Sequence, residues 1–432
     1  MGRCRPPQDV GIFSLVTARP PMSQFELIAI LLVLTATFSW VNFRLAFLPH
    51  TIGLLVMGLG ASLVVIAAEA LMPGLFNYEG LAALLRQVDF QQTVLEGMLA
   101  FLLFAGALHV DVASLRSRAV TIGTMATLGV AVSTAIIGGV IWAASDVLKV
   151  GISLPWALVF GALISPTDPV AVLATLKEVN APADLKIVMT GETLFNDGVG
   201  VVLFAVLVHA AVGEGFGLFE VGEMFVVEAL GGAVLGAVTG YVAYRGMRAI
   251  DDYSIEVLIS LALVVGTYAI ASRLVVSGPL AVVVAGLLVG SRGPLDALSD
   301  QTQRYLFGFW TLIDEMLNSV LFLLIGLEVL VLRFEPAFGW LMALAVPLVL
   351  VARLVTVSGP VLRLGLFCKF GRGTIPVLTW GGLRGGISVA LALSLPEVPE
   401  KSALLAAIYA VVLFTLIVQG LSLRSVIKRV VR

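Results

Sequence analysis

The chain has 432 residues, of which 59% are hydrophobic and 12% charged, with a formal net charge of −2. Soluble domains carry about 25% charged residues, so an ordinary soluble protein is excluded. The net charge says little about partners, and no nucleic-acid partner is expected. Two cysteines, Cys4 and Cys368, lie too far apart in sequence to suggest a disulfide framework. There is no CxxC or HExxH motif, and His50, His109 and His209 lack metal-ligand spacing. No cofactor or structural metal is expected.

In chain order, residues 1–21 (MGRCRPPQDVGIFSLVTARPP) make a poor signal peptide, with a short apolar run flanked by prolines. They read either as a disordered extension or as sequence ahead of the true start at Met22. Apolar runs then recur from Phe25 to Leu423, which predicts an all-α polytopic membrane protein, because a bilayer leaves backbone polar groups no partner outside the segment. The length criterion gives about thirteen spans, at approximately 25–42, 48–72, 91–110, 119–144, 153–176, 185–211, 222–244, 254–274, 277–291, 305–331, 337–359, 374–396 and 402–423. Alternate loops divide the basic residues roughly sixteen to five. By the positive-inside rule this puts the N-terminus outside and the C-terminus in the cytoplasm.

Chemistry is concentrated in a few polar residues inside these spans. In span 153–176, Pro166 and Pro169 bracket Thr167 and Asp168. Two prolines in mid-span predict a discontinuous helix near 165–169, whose freed backbone groups can face an ion. In span 185–211, Glu192 and Asn196 share a helix face at i, i+4, and Asp197 adjoins Asn196. Carboxylate, amide and hydroxyl oxygens suit an alkali cation and suit zinc poorly. A carboxylate removed from water can hold a proton or a cation. The alternative is a buried hydrogen-bond network that only fastens helices.

Arg353 and Arg384 also fall within spans and need partners among Glu192, Asp168 and Asp197, or water. A Glu192–Arg353 pair would leave Asp197 uncompensated. The GGLRGGIS run around Arg384 predicts a second interruption near 381–386, seven spans after the first. Interruptions at corresponding places in two halves point to an inverted-repeat transporter, although no sequence repetition is visible between the halves. Asp314 and Glu315 could line a cation funnel or form a solvated helix face. Glu69, Glu96, Glu228 and Glu256 lie towards span ends, where exposure is the expectation. The small residues of 229–240 (ALGGAVLGAVTG) predict a packing face.

Taken together in this order, ISPTDPVAVLATLKE, GETLFNDGVGVVLF and GGLRGGISVALALSLP, supported by SGPLAVVVAGLLVG and LNSVLFLLIGLE, resemble the NhaP-type monovalent cation:proton antiporters. These are relatives of the animal sodium/proton exchangers, and the resemblance covers the chain after Met22. It implies an ion site at Asn196 and Asp197, with Thr167 and Asp168 contributed by the unwound helix. It implies an electrostatic pair of Glu192 and Arg353, and places Arg384 in the second interruption. It further implies electroneutral exchange and a homodimer, with core helices about 119–211 and 337–423 and dimer-scaffold helices about 25–110 and 222–331. One departure is Ala105, where some members carry a glutamate.

The expected function is antiport of Na⁺ (or Li⁺) against H⁺ in the cell membrane, the two ions competing for Asp197. The alternative on the same scaffold is K⁺/H⁺ antiport. A non-transporting membrane subunit would leave the buried acids without a task. An intramembrane hydrolase lacks its motifs, since neither GxGD nor GxSG is present.

Overall fold

The computed structural model describes residues 24–45, 48–71, 97–147, 149, 151–168, 172–173, 175–176, 179, 181–213, 218–330, 338–364 and 373–430. The predicted N-terminal extension, both cysteines, Glu96 and Pro169 lie outside these residues.

Among the described residues, ten helices are long and apolar enough to cross a membrane. They are α1 (Gln24–Leu45), α2 (His50–Leu71), α5 (Ala119–Ser145), α7 (Ala183–Val212), α8 (Leu218–Met247), α9 (Tyr253–Leu274), α10 (Gly278–Asp296), α11 (Asp300–Glu328), α12 (Gly339–Leu364) and α15 (Lys401–Val430). The remaining helices are shorter: α3 (Leu99–Leu108), α4 (Val112–Ser117), α6 (Leu154–Ile164), α13 (Thr374–Trp380) and α14 (Gly386–Leu393). The expected count of about thirteen is not confirmed among the described residues. Three of the expected spans correspond to shorter or interrupted helices, two of them at the anticipated proline and glycine breaks. The protein is an all-helical, multi-pass membrane protein.

Helix ends are set by local chemistry. Asp252 caps α9 by accepting from the Ser254 and Ile255 amides at 2.9 and 3.2 Å. Ser277 caps α10 ahead of Pro279, whose missing N–H costs nothing in a first turn. Val275, with φ of 55°, ends α9 in the left-handed region. Trp40, Phe43, Val234, Val238 and Val242 are exposed apolar side chains on α1 and α8, the kind of face a bilayer covers.

Two groups of helices are legible from the packing. In one, α3 and α8 both pack on α10, and α9 and α11 lie alongside. In the other, α5 packs on α6 and α12, and α12 on α13 and α15. Helix α7 touches both groups. The predicted small-residue face does pack: Gly232, Gly236 and Gly240 lie against Ser277, Ala281 and Ala285 of α10, where an added Cβ would meet backbone. Arg118 and Asp184, 66 residues apart in sequence, form an ion pair at 2.8 Å, so the starts of α5 and α7 share one end of the molecule.

One expectation is overturned. Glu256 is fully buried, not exposed, because α11 folds over it: the Thr302 hydroxyl donates to its carboxylate at 2.5 Å. One turn on, the Trp310 indole donates to Ser260 at 3.0 Å.

Gly236→Leu is expected to destabilise the protein by about 1–3 kcal/mol or more, because the side chain would meet α10 backbone. Gly222→Leu, in open surroundings, should leave thermal unfolding in detergent unchanged. Equal shifts for the two variants would mean that the α8–α10 contact does not hold this group of helices together.

Candidate functional site

The first interruption begins where α6 stops at Ser165 and Pro166. Proline lacks an N–H and disfavours helix before it, so the last carbonyls of α6 lose their intrahelical partners. The Arg384 guanidinium replaces them. Its Nη1 donates to the Ser165 carbonyl and, at 2.8 Å, to that of Pro166. A cation here also faces the negative end of the α6 dipole.

The second interruption, 381–385, separates α13 from α14. It is held by the first. The Asp168 amide donates to the Leu383 carbonyl at 2.8 Å, and the Arg384 amide donates to the Thr415 hydroxyl at 3.1 Å. Thr415 lies in a π-helical turn of α15, Phe414–Gln419. Gly385 caps α14, and a Cβ there would overlap the Asp168 carboxylate. Glycine thus lets Asp168 lie against the first residues of α14, at the positive end of that helix.

Helix α7 presents Glu192, Thr193, Asn196 and Asp197, all buried, beside this crossing. It approaches closely because Gly200 leaves room for the Pro166 ring. The Asn196 Nδ2 donates to the Thr167 hydroxyl at 3.0 Å, and Thr193 Oγ1 lies 3.4 Å from the same hydroxyl. Asn196 is 1% exposed, and its Oδ1 has no hydrogen-bond partner among the described residues. Asp197 is 7% exposed and lies within electrostatic reach of Asp168. An orphaned amide oxygen, a hydroxyl and two carboxylates at a helix break form a hard-oxygen set that fits a small monovalent cation as cargo.

Glu192 does not join that set. Arg353 of α12 grips both of its carboxylate oxygens, through Nη1 to Oε1 and through Nη2 to Oε2 at 2.9 Å. Its Nε donates to the Leu378 carbonyl of α13 at 3.2 Å. The pair is buried on both sides, so each charge depends on the other.

The remaining expected positions are peripheral. Asp314 is half-buried and accepts from Asn318 at 3.1 Å, within electrostatic reach of Asp168 and His109. Glu315 is exposed. Ala105 is buried, and its carbonyl bonds His109 Nδ1 at 2.7 Å. Sequence reasoning missed Thr193 and Thr415. Threonine is ordinary in apolar helices, so its type gives no signal; adjacency to Glu192 is the only clue for Thr193.

The transmembrane sodium/hydrogen exchanger family model matches residues 30–429. The chain belongs to this family. Over 414 residues it is 45% identical to the Na⁺/H⁺ antiporter NhaP of Pseudomonas aeruginosa, covering 94% of this chain and 96% of that one. It is 32% identical over 413 residues to the Na⁺/H⁺ antiporter ApNhaP of Aphanothece halophytica, covering 94% and 74%. Its fold resembles that of the sodium proton antiporter MjNhaP1 from Methanocaldococcus jannaschii at pH 8, with a TM-score of 0.72, 18% identity, and coverage of 95% of this chain and 99% of that one. The family is one of transporters.

Glu192→Gln should strand the Arg353 charge and cost about 3–5 kcal/mol, read as a lowered unfolding temperature in detergent. Glu192→Leu combined with Arg353→Met should recover most of that loss. A double variant as unstable as the single one would show that Arg353 is held by Leu378 and its surroundings rather than by Glu192.

Proposed function

We propose that the protein exchanges Na⁺ for H⁺ across the cell membrane, with Asp197 as the group for which the two ions compete. The observation that carries this reading is the pairing of a buried, unpartnered Asn196 Oδ1 with an Asp197 carboxylate that receives no hydrogen bond among the described residues. Leaving a buried acceptor unsatisfied costs on the order of 1–3 kcal/mol. A cation bound between the two oxygens removes that cost, and a proton on Asp197 removes the charge instead. Thr167 and Asp168 complete the oxygen shell, and Arg384 holds the helix break on which they sit. Glu192 is already neutralised by Arg353, so one carboxylate carries the exchange. One Na⁺ then replaces one H⁺, and the cycle moves no net charge.

Alternating access follows if the α5–α7 and α12–α15 group moves against a scaffold of α1–α3 and α8–α11. The scaffold would form the dimer, with the N-terminus outside and the C-terminus in the cytoplasm of an inner-membrane protein. Asp314 and Glu315 would line the approach of the cation. The relatives named as Na⁺/H⁺ antiporters support Na⁺ over K⁺ as the cargo.

In everted vesicles, Asp197→Asn is expected to abolish Na⁺-dependent dequenching of a pH dye while the protein still inserts. Persistent dequenching would overturn the mechanism. In the wild type, lowering the pH should raise the half-saturating Na⁺ concentration, since protons occupy the shared carboxylate. A K⁺ diffusion potential should leave the initial rate unchanged, and K⁺-dependent dequenching equal to that with Na⁺ would shift the assignment to K⁺/H⁺ exchange.

A further inference from the structure

Two adjoining cavities open at the end of the molecule where α3, α4, α10 and α11 meet. The first, of about 870 Å³, is lined by His109, Asp111, Arg116, Ser117, Ser291 and Arg292. The second, of about 520 Å³, is an apolar groove formed by Leu115 of α4, Ile122 and Ala126 of α5, Phe195 and Val199 of α7, and Leu287 of α10. Val112, Arg116 and Ser291 line both, so the polar cavity opens directly onto the groove.

Three features decide what such a pair of cavities would hold. The groove flanks membrane-spanning helices, and Ala119, Gly123 and Thr127 along its α5 edge are exposed, so it opens towards the acyl region of the bilayer. Arg116 and Arg292 are exposed, and neither forms a salt bridge or side-chain hydrogen bond among the described residues. Nearby Arg118 and Arg248, by contrast, are already paired with Asp184 and Asp296. The acid in the polar cavity, Asp111, is occupied in capping α4: it accepts from the Ala113 and Ser114 amides at 3.0 and 3.2 Å and from the Ser114 hydroxyl. Two free guanidinium groups at the head of an apolar groove in a bilayer match an anionic headgroup above an alkyl chain.

We propose that this pair of cavities binds an anionic phospholipid, its phosphate held by Arg116 and Arg292 and one acyl chain seated along the groove. Its place gives it a consequence. The groove is walled by α5 and α7 on one side and α10 on the other, so a chain lying there bridges the two groups of helices. Bound lipid stabilises the arrangement described here and resists their relative movement.

The test is retention of lipid by the purified full-length protein, a readout independent of transport. By native mass spectrometry with equimolar phosphatidylglycerol and phosphatidylcholine, the wild type should retain phosphatidylglycerol about tenfold over phosphatidylcholine. Arg116→Gln with Arg292→Gln should abolish that preference. Leu287→Trp, which fills the groove, should reduce retention of both lipids. If the arginine variants do not purify, Ser291→Glu, which adds a negative charge where the cavities meet, serves in their place. Equal retention of the two lipids by the wild type would overturn the proposal. So would protection from thermal unfolding by inorganic phosphate alone that Leu287→Trp leaves intact, since that would mark a free-anion site.

Discussion

A helix that stops inside a bilayer leaves carbonyls at one end and amides at the other without partners, and lipid cannot supply them. This protein stops two helices and lets each complete the other. Arg384, carried by the second break, closes the carbonyl end of α6 at Ser165 and Pro166. Asp168, carried by the first break, donates its amide to Leu383 and lies against Gly385 at the start of α14. The charge at each crossing also opposes the dipole it faces. Neither break can be satisfied without the other, so α6, α13 and α14 behave as one unit. Thr167 is positioned for Asn196 as a result of that closure.

Arg353 extends the same logic to α7. One side chain on α12 reaches Glu192 on α7 and the Leu378 carbonyl on α13. A buried ion pair contributes little net stability over an apolar replacement, yet it penalises any register in which the two charges part. Its value here is that it fixes which carboxylate on α7 is spent. Glu192 and Asp197 lie five residues apart on one helix, and among the described residues only Glu192 meets an arginine. The sorting of two similar acids into a compensated and an uncompensated one is done by α12, from more than 150 residues away in the chain.

How much of this was legible in the sequence depends on the kind of partner involved. Prolines and glycines act on their own backbone, so Pro166 and the glycines around Arg384 announced both breaks. That Arg353 would find an acid was readable, because opposite charges in apolar spans each need a partner; that the acid is Glu192 rather than Asp168 or Asp197 came from the family resemblance. The partner of Arg384 was not readable, because it is a pair of main-chain carbonyls, which every residue has and no side-chain pattern reveals. Glu256 misled for a related reason. Its place near a helix start suggests water, whereas Thr302 and Trp310 arrive from α11 to enclose that end of α9. The two interrupted segments still read as spans because hydropathy responds to an apolar segment whether or not its helix is whole.

The position of α7 links the site to the proposed movement. Its Gly200 admits the Pro166 ring from the first break, while its Gly198 faces Leu280 of α10 in the other group of helices. The ligands on α7 and those at the break are thus tied to one another by Asn196–Thr167 and by Arg353, all within one group. Towards α10, by contrast, α7 meets apolar side chains, with Leu280 packed on Gly198, Val202 and Val206. Shear between packed helices is easiest where no hydrogen bond or ion pair must break. Among the described residues the seam beside the site is such a surface, so in the proposed exchange the oxygen cage would change the side to which it opens without being taken apart.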